Sequence, residues 1–143
     1  MAMTPEAGEY FSEHIPFHKF LGIKIASAGD GKARVELPFR PELIGDPMRP
    51  ALHGGVIATV LDVAGGFAVI GAVPFEDRVS TIDLRVDYLA PGGADTIVAE
   101  SQVVRIGNRV AVVDIRCWHA EAPDKIIATG KGVYNIRRKT DHP

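Results

Sequence analysis

The longest apolar stretch of the chain runs from residue 56 to residue 73 and carries one charged residue, Asp62. Its length is close to that of a short membrane span. Two features favour a helix buried in protein instead: a charge at mid-stretch is costly in lipid, and glycines allow close backbone packing. The glycines are Gly65, Gly66 and Gly71. We therefore predict a long enclosed helix that begins near His53, and no membrane segment.

Most of the remaining chain alternates apolar and polar residues with the period of two that is typical of β-strands. Two strands are predicted at 22–28 and 32–38, joined by a hairpin turn at Gly29-Asp30-Gly31. Four more are predicted at 79–89, 95–106, 110–119 and 125–136, with turns at 107–108 and 121–124. We expect these last four strands to pair in sequence order as a meander.

The strand predicted at 79–89 alternates most clearly. The residues that share its apolar face are Ile82, Leu84, Val86 and Tyr88. The strand is expected to end at Pro91-Gly92-Gly93.

Two segments lack the period of two. Thr4, Pro5 and Glu6 supply an N-cap, a first-turn proline and a favourable charge, which predict a short helix ending at about Ser12. Residues 40–52 contain three prolines and no sustained periodicity. They predict a structured loop that leads into the long helix.

This order of elements predicts an α+β fold in one domain of residues 1–143, with an antiparallel β-sheet wrapped around the long central helix. A helix that is apolar on nearly all sides must be covered on most of them. One sheet cannot cover it fully, so we expect a second copy of the chain, related by a twofold axis, to cover the remainder.

Composition and charge narrow the class of protein. A hydrophobic content of 46% with 24% charged residues is that of a packed globular domain and excludes a disordered chain. A formal net charge of -2 and scattered basic residues give no attraction for nucleic acid. The single cysteine, Cys117, cannot form an internal disulfide, and the first residues lack the pattern of a signal peptide. Both features favour a cytoplasmic location.

Two features of the long helix point to chemistry. His53-Gly54-Gly55 stands at its start, where unpaired backbone N–H groups and the positive end of the helix dipole can stabilise an oxyanion. The alternative is a tight junction between loop and helix. Asp62 stands where the helix buries its neighbours, and buried carboxylates are rare unless they are paired or used. It can act as a general base, or it can be a structural carboxylate that caps a loop.

Helical geometry separates these features. Gly54 and Asp62 are eight residues apart, which corresponds to roughly 80° in direction and about 12 Å along the axis. His53 and Asp62 point to opposite faces. Two antiparallel helices side by side would bring Gly54 of one copy against Asp62 of the other, so we expect the active site to require a homodimer.

Other candidate residues carry weaker signals. His14 and His18 have the helical spacing of metal ligands, but Pro16 lies between them and no third ligand is evident, so we expect no metal and no cofactor. Cys117 shares a strand face with apolar residues and has no accompanying base, so we expect it in the core. Arg109, next to the turn at Gly107-Asn108, could contact phosphates, although such arginines are usually solvated.

The motif ALHGGVIATVLDVAGG at 51–66, followed by STIDLRVDYLAP at 80–91, resembles the phenylacetate-pathway-like branch of the hotdog-fold thioesterases. The resemblance spans about residues 20 to 136. Its most specific element is His-Gly-Gly with an aspartate nine residues after the histidine. The resemblance implies a hotdog fold, hydrolysis of an acyl-CoA-type thioester, and a homodimer that often pairs again into a homotetramer.

The resemblance also assigns roles to residues of this chain. It implies that Asp62 is the general base or nucleophile, that the Gly54 N–H polarises the carbonyl from the neighbouring subunit, that Thr81 orients the aspartate or its water, and that His53 shapes the oxyanion end. Expected substrate contacts are Gly55, Asp46, Asn108 and Arg109. This chain has Pro47 where the family commonly has an asparagine. The function of that asparagine is either lost in this chain or carried out by Asp46.

Two other functions remain open at this point. The first is a hotdog hydratase or dehydratase acting on an enoyl-CoA, although the spacing between His-Gly-Gly and the aspartate is that of the hydrolases. The second is a non-catalytic acyl-CoA-binding module, which has no need of a carboxylate facing the thioester.

Overall fold

A computed structural model describes residues 2–141 of the chain. The α-helices are α1 (Pro5–His14), α2 (Pro16–Leu21) and α3 (Gly54–Ile70). The β-strands are β1 (Lys24–Gly29), β2 (Lys32–Leu37), β3 (Ile44–Asp46), β4 (Ala51–Leu52), β5 (Arg78–Tyr88), β6 (Ile97–Ile106), β7 (Val110–His119) and β8 (Ala122–Arg137). Short 3₁₀ helices occupy Pro41–Leu43 and Lys139–Asp141.

A six-stranded antiparallel sheet in the order β1-β2-β6-β7-β8-β5 packs against α3. The core lies between them, and its fully buried members include Val35, Leu61, Ile115 and Ile136. The predicted architecture, a sheet wrapped around a long central helix, is confirmed. Within residues 2–141, none of the helices is both long enough and apolar enough to cross a membrane.

The predicted meander of the last four strands is wrong in one pairing. β6, β7 and β8 follow one another, but β6 pairs on its other side with β2, and β5 lies at the far edge beside β8. Two connections therefore join strands that are not neighbours: residues 38–77, which include α3, link β2 to β5, and residues 89–96 link β5 to β6. This order allows one sheet to curve around α3 with strands on both sides of it.

Several boundaries differ from the predictions because turn residues determine them. Gly22, predicted to start a strand, instead ends the unpredicted helix α2 with a φ of 85° and an N–H that donates to the His18 carbonyl. The predicted loop at 40–52 contains the small β3-β4 sheet. β8 begins at Ala122, so Pro123 lies in an irregular part of the β7–β8 ladder, where a missing N–H is tolerated.

The hairpin turn between β1 and β2 is confirmed. Asp30 and Gly31 both have positive φ, 55° and 77°, which is the geometry that matches the twist of a two-residue hairpin. The predicted N-cap of α1 is confirmed as well, because the Thr4 hydroxyl accepts a hydrogen bond from the Ala7 N–H.

One stripe of α3 remains uncovered by the sheet. The residues on this stripe that are exposed or only partly buried are Gly55, Thr59, Asp62, Val63, Gly66 and Ile70. Their spacing of three or four residues defines a single helix face. The open stripe agrees with the expectation that one sheet does not enclose the helix, and it contains Asp62.

Candidate active site

The start of α3 is organised by His53. This residue is the N-cap, and its Nδ1 accepts a hydrogen bond of 2.8 Å from the Gly55 N–H. Its carbonyl accepts from the Val56 N–H at 2.9 Å. A Cβ on Gly55 would lie 3.0 Å from the histidine Nδ1, so the glycine allows the imidazole to reach over the helix end. The amide of Gly55 is therefore already used.

The amide of Gly54, in contrast, is not used in a hydrogen bond within residues 2–141, and it stands at the positive end of the helix dipole. The Gly54 carbonyl accepts a hydrogen bond of 2.7 Å from the Tyr88 hydroxyl, which ties this first turn to β5. Of the two glycines in the motif, Gly54 is the one whose N–H is available to a ligand.

The carboxylate of Asp62 is held on one oxygen. The Thr81 hydroxyl donates to Oδ1 at 2.8 Å, and the Tyr134 hydroxyl lies 3.3 Å from the same atom. In the part of the chain that the structure describes, Oδ2 has no hydrogen-bond partner. The expected burial is only partial in a single chain, because Asp62 lies on the open stripe of α3. The arrangement presents one carboxylate oxygen outward.

Thr81 reaches Asp62 because of a β-bulge. On a regular strand Thr81 would face away from the residues at 82, 84, 86 and 88. The register of β5 against β8 shifts between Thr81 and Asp83. Such a shift, with one extra residue, reverses the alternation, so the residues before it lie on the opposite face from the one that a regular strand would give them. Ile82, predicted to share a face with Leu84 and Val86, is instead 56% exposed. Thr81 therefore turns to α3 while Leu84 and Val86 still pack on the core.

Tyr134 is a site residue that sequence reasoning did not single out. It stands opposite Thr81 in the β5–β8 ladder and is buried. Its hydroxyl donates to the Asp62 carbonyl at 2.9 Å. Burial, and then the neighbouring Asp62 carboxylate, raise the pKa of Tyr134, so its hydroxyl stays protonated. The sequence contained only a weak indication of a role for Tyr134, because a tyrosine that points inward from a strand is usually a core residue.

The two halves of the candidate site do not meet within one chain. Gly54 contacts Tyr88 at one end of β5, whereas Asp62 contacts Thr81 towards the other end. The predicted separation along α3 is about 12 Å, which is too far for one thioester carbonyl to contact both. In a single chain the structure brings Thr81 to Asp62 and His53 to Gly55, but not Gly54 to Asp62.

The predicted substrate contact Asp46 is engaged within its own loop. Its Oδ1 accepts from the Met48 N–H at 2.9 Å and its Oδ2 from the Arg49 Nε at 2.8 Å. The hydrogen bond from Met48, and then that from Arg49, lower the pKa of Asp46. These contacts orient Arg49, which together with Gly54 and Tyr88 lines a groove at the start of α3.

The other predicted substrate contacts, Asn108 and Arg109, lie in the turn between β6 and β7. Arg138 fixes this turn by donating to the carbonyls of Asn108 at 2.8 Å and Gly107 at 3.1 Å. The Arg109 carbonyl accepts from the Ile136 N–H at 2.7 Å. The backbone of the turn is thus held by the end of β8. A role of Asn108 and Arg109 in substrate binding stays a prediction.

The histidines with metal-like spacing are directed to separate partners. His14 Nδ1 bonds to the Tyr10 carbonyl and His18 Nδ1 to the Phe11 carbonyl. Across residues 2–141, no group of three or more histidine, cysteine, aspartate or glutamate side chains could hold a metal ion. Cys117 lies in the core as predicted, and burial raises the pKa of its thiol to about 12.

The chain is similar to known enzymes. Residues 50–124 match the Thioesterase superfamily. The medium/long-chain acyl-CoA thioesterase YigI of Escherichia coli K12 is 37% identical over 142 residues, which cover 90% of each chain.

Solved structures give the same result. A Shewanella oneidensis protein related to the thioesterase superfamily is 36% identical, with a TM-score of 0.78 over 91% of this chain and 92% of that one. The PaaI protein from the phenylacetic acid degradation operon of Escherichia coli is 26% identical, with a TM-score of 0.79 over 91% of this chain and 89% of that one.

Proposed function

Because the chain belongs to the thioesterase superfamily, with the hotdog fold that its motif implied, we propose that it hydrolyses acyl-CoA thioesters to the free acid and coenzyme A. The thioester hydrolase class follows from the family. The observation that carries the mechanism is the carboxylate of Asp62, whose Oδ1 is held at 2.8 Å by the Thr81 hydroxyl while Oδ2 remains available.

Asp62 acts on the thioester carbonyl in one of two ways. As a general base, Oδ2 takes a proton from a water molecule while the water oxygen bonds to the carbonyl carbon. As a nucleophile, Oδ2 bonds to that carbon itself and forms an anhydride, which water then hydrolyses. In both routes the carbonyl electron pair moves onto oxygen, and its return expels the thiolate, which takes up a proton.

Gly54 stabilises the oxyanion that forms in either route. Its N–H has no partner in the described chain and points from the positive end of α3. The His53 cap supports this assignment, because it occupies the Gly55 N–H and leaves the Gly54 N–H as the donor for the carbonyl oxygen.

A homodimer completes the site in this proposal. The edge strand β5 lies beside the open stripe of α3, because Thr81 of β5 contacts Asp62 on that stripe. A twofold axis through the middle of β5 would place Tyr88 and Gly54 of one copy beside Thr81 and Asp62 of the other. Two equivalent sites result. The tetramer implied by the resemblance stays a prediction.

The groove beside Asp62 suggests which acyl groups are accepted. It has a volume of about 410 Å³. Its lining residues are Ile15, Phe17, His18, Ala58, Thr59, Asp62, Val63 and Leu84. Burial lowers the pKa of His18, so this histidine is neutral and adds no charge to the groove. An apolar groove next to the carboxylate fits an alkyl acyl chain, and the name of the similar Escherichia coli enzyme supports medium or long chains.

Thiol release from short, long and aryl acyl-CoAs tests the function directly. We expect turnover with the purified protein and the highest kcat/KM for medium or long alkyl chains, because these fill the groove beside Asp62. Loss of conjugation of an enoyl-CoA without thiol release would instead identify a hydratase. Tight binding of acyl-CoA without either reaction would identify a non-catalytic binding module.

Mixing two inactive variants tests the shared site. One carries Asp62→Asn and the other Gly54→Pro, so each lacks one half. In a heterodimer, one site combines the intact Gly54 of the first chain with the intact Asp62 of the second. Co-expression should therefore restore about a quarter of wild-type activity, because half of the dimers are mixed and each has one intact site. Each variant expressed alone is the control. No recovery in verified heterodimers would place the site within one chain.

A further inference from the structure

Tyr134 makes two contacts with the same catalytic residue. Its hydroxyl donates to the Asp62 carbonyl at 2.9 Å and lies 3.3 Å from Asp62 Oδ1. The first contact fixes the helix backbone at this position and the second restrains the side chain. Tyr134 is 1% exposed and belongs to β8, so the sheet rather than a loop defines where its hydroxyl stands.

Two glycines make room for the Tyr134 ring. A Cβ on Gly65 of α3 would lie 2.8 Å from the ring Cζ, and a Cβ on Gly132 of β8 would lie 2.9 Å from it. Both contacts are closer than real Cβ atoms tolerate. Glycine inside a helix or a strand is destabilising. The chain therefore maintains, on both sides of the ring, a space that this tyrosine requires.

The hydroxyl itself needs an explanation beyond core packing. Phenylalanine would fill the same space without placing a polar group in the core, and a buried hydroxyl is costly unless it is hydrogen-bonded. Thr81 and Tyr134 are direct neighbours across the β5–β8 ladder. Both hydroxyls converge on Oδ1 of Asp62, at 2.8 Å and 3.3 Å. This convergence leaves Oδ2 as the oxygen directed at the substrate.

We propose that Tyr134 is a positioning residue for Asp62, which together with Thr81 fixes Oδ1 so that only Oδ2 meets the thioester. The proposal rests on the proposed hydrolytic function. Tyr134 touches neither the substrate nor the reacting atoms in this assignment. It acts through the orientation of the carboxylate.

Tyr134→Phe tests the proposal, because the ring still fits between Gly65 and Gly132 and only the hydroxyl is lost. We expect kcat to fall about tenfold, the upper end of the effect of one neutral hydrogen bond, with KM within about twofold of wild type. The loss should appear in kcat and not in KM, because the hydroxyl restrains the carboxylate and does not contact the substrate. Combining it with Thr81→Val should lower kcat further.

Ser101→Ala is the matched control. The Ser101 hydroxyl is also buried and also donates to α3, at 2.6 Å from the Ala64 carbonyl, without contacting Asp62. It should lower the unfolding midpoint and leave kcat and KM within about twofold of wild type. If Tyr134→Phe behaves like Ser101→Ala, with kcat unchanged, the positioning role is overturned while an active wild type keeps the hydrolytic function. A wild type without thioester turnover overturns both.

Discussion

Asp62→Asn is expected to lower kcat for acyl-CoA hydrolysis by about 10² to 10⁴-fold, the contribution typical of a positioned general base. Asparagine keeps the size of the side chain and an oxygen that can still accept from the Thr81 hydroxyl. The variant should therefore fold and dimerise like the wild type. Thiol release measures the loss, and thermal unfolding followed by circular dichroism checks the fold.

Asp114→Asn is the control for removal of a carboxylate. Asp114 lies on β7, pairs with Lys131 at 3.0 Å and is 59% exposed on the outer face of the sheet. Its replacement should leave kcat within about twofold of wild type, because exposed ion pairs contribute little. If Asp62→Asn retained the activity of this control, Asp62 would be a structural carboxylate, the alternative left open by the sequence.

The second large effect is expected from Gly54→Pro, which removes the proposed oxyanion donor. Gly54 is the first residue of α3, a position where proline is well accepted because its N–H has no partner in the helix. The preceding His53 has φ -60° and ψ 132°, which is the conformation favoured before proline. We expect kcat to fall by about 10² to 10³-fold, as for other single oxyanion donors.

Gly54→Ala separates the N–H from the side chain. It retains the donor and places a Cβ 3.4 Å from the Tyr88 ring, which is close to an ordinary contact. Steady-state kinetics of both variants on one acyl-CoA should show the large loss for proline alone. Equal losses would mean that the space beside Tyr88, and not the amide, is what catalysis requires.

Local sequence signals were sufficient for the central helix and its single charge. The long apolar run defines α3, and Asp62 stands out because no other charged residue interrupts it. The hairpin between β1 and β2 could also be predicted, since Asp30 and Gly31 are residue types that accept positive φ. In both cases the determining interactions lie within a few residues of one another.

Which strands lie next to each other could not be predicted from local sequence signals. Alternation identifies β5 as a strand, but it contains no information about whether β6 or β8 lies beside it. The pairing depends on contacts across the whole sheet and on how the sheet curves around α3. For this reason the six strands of the large sheet were identified along the chain, while one pairing was wrong.

The environment of Asp62 could be predicted only in part. The resemblance pointed to Thr81, yet the alternation at 82 to 88 placed that residue on the opposite face, and only the bulge resolves the conflict. Tyr134 lies 72 positions further along the chain and meets Asp62 through the sheet. No spacing rule connects residues at such a distance.

The bulge at Ile82 also bears on how such a site can tolerate change in evolution. Thr81 lies opposite Tyr134 and Asp83 lies opposite Val133, so Ile82 is the extra residue of β5 at this point. Its deletion would leave a regular strand in which Thr81 directly precedes Asp83 and still faces the central helix. The strand can therefore gain or lose this one residue without losing the contact between Thr81 and Asp62 and without repacking the core.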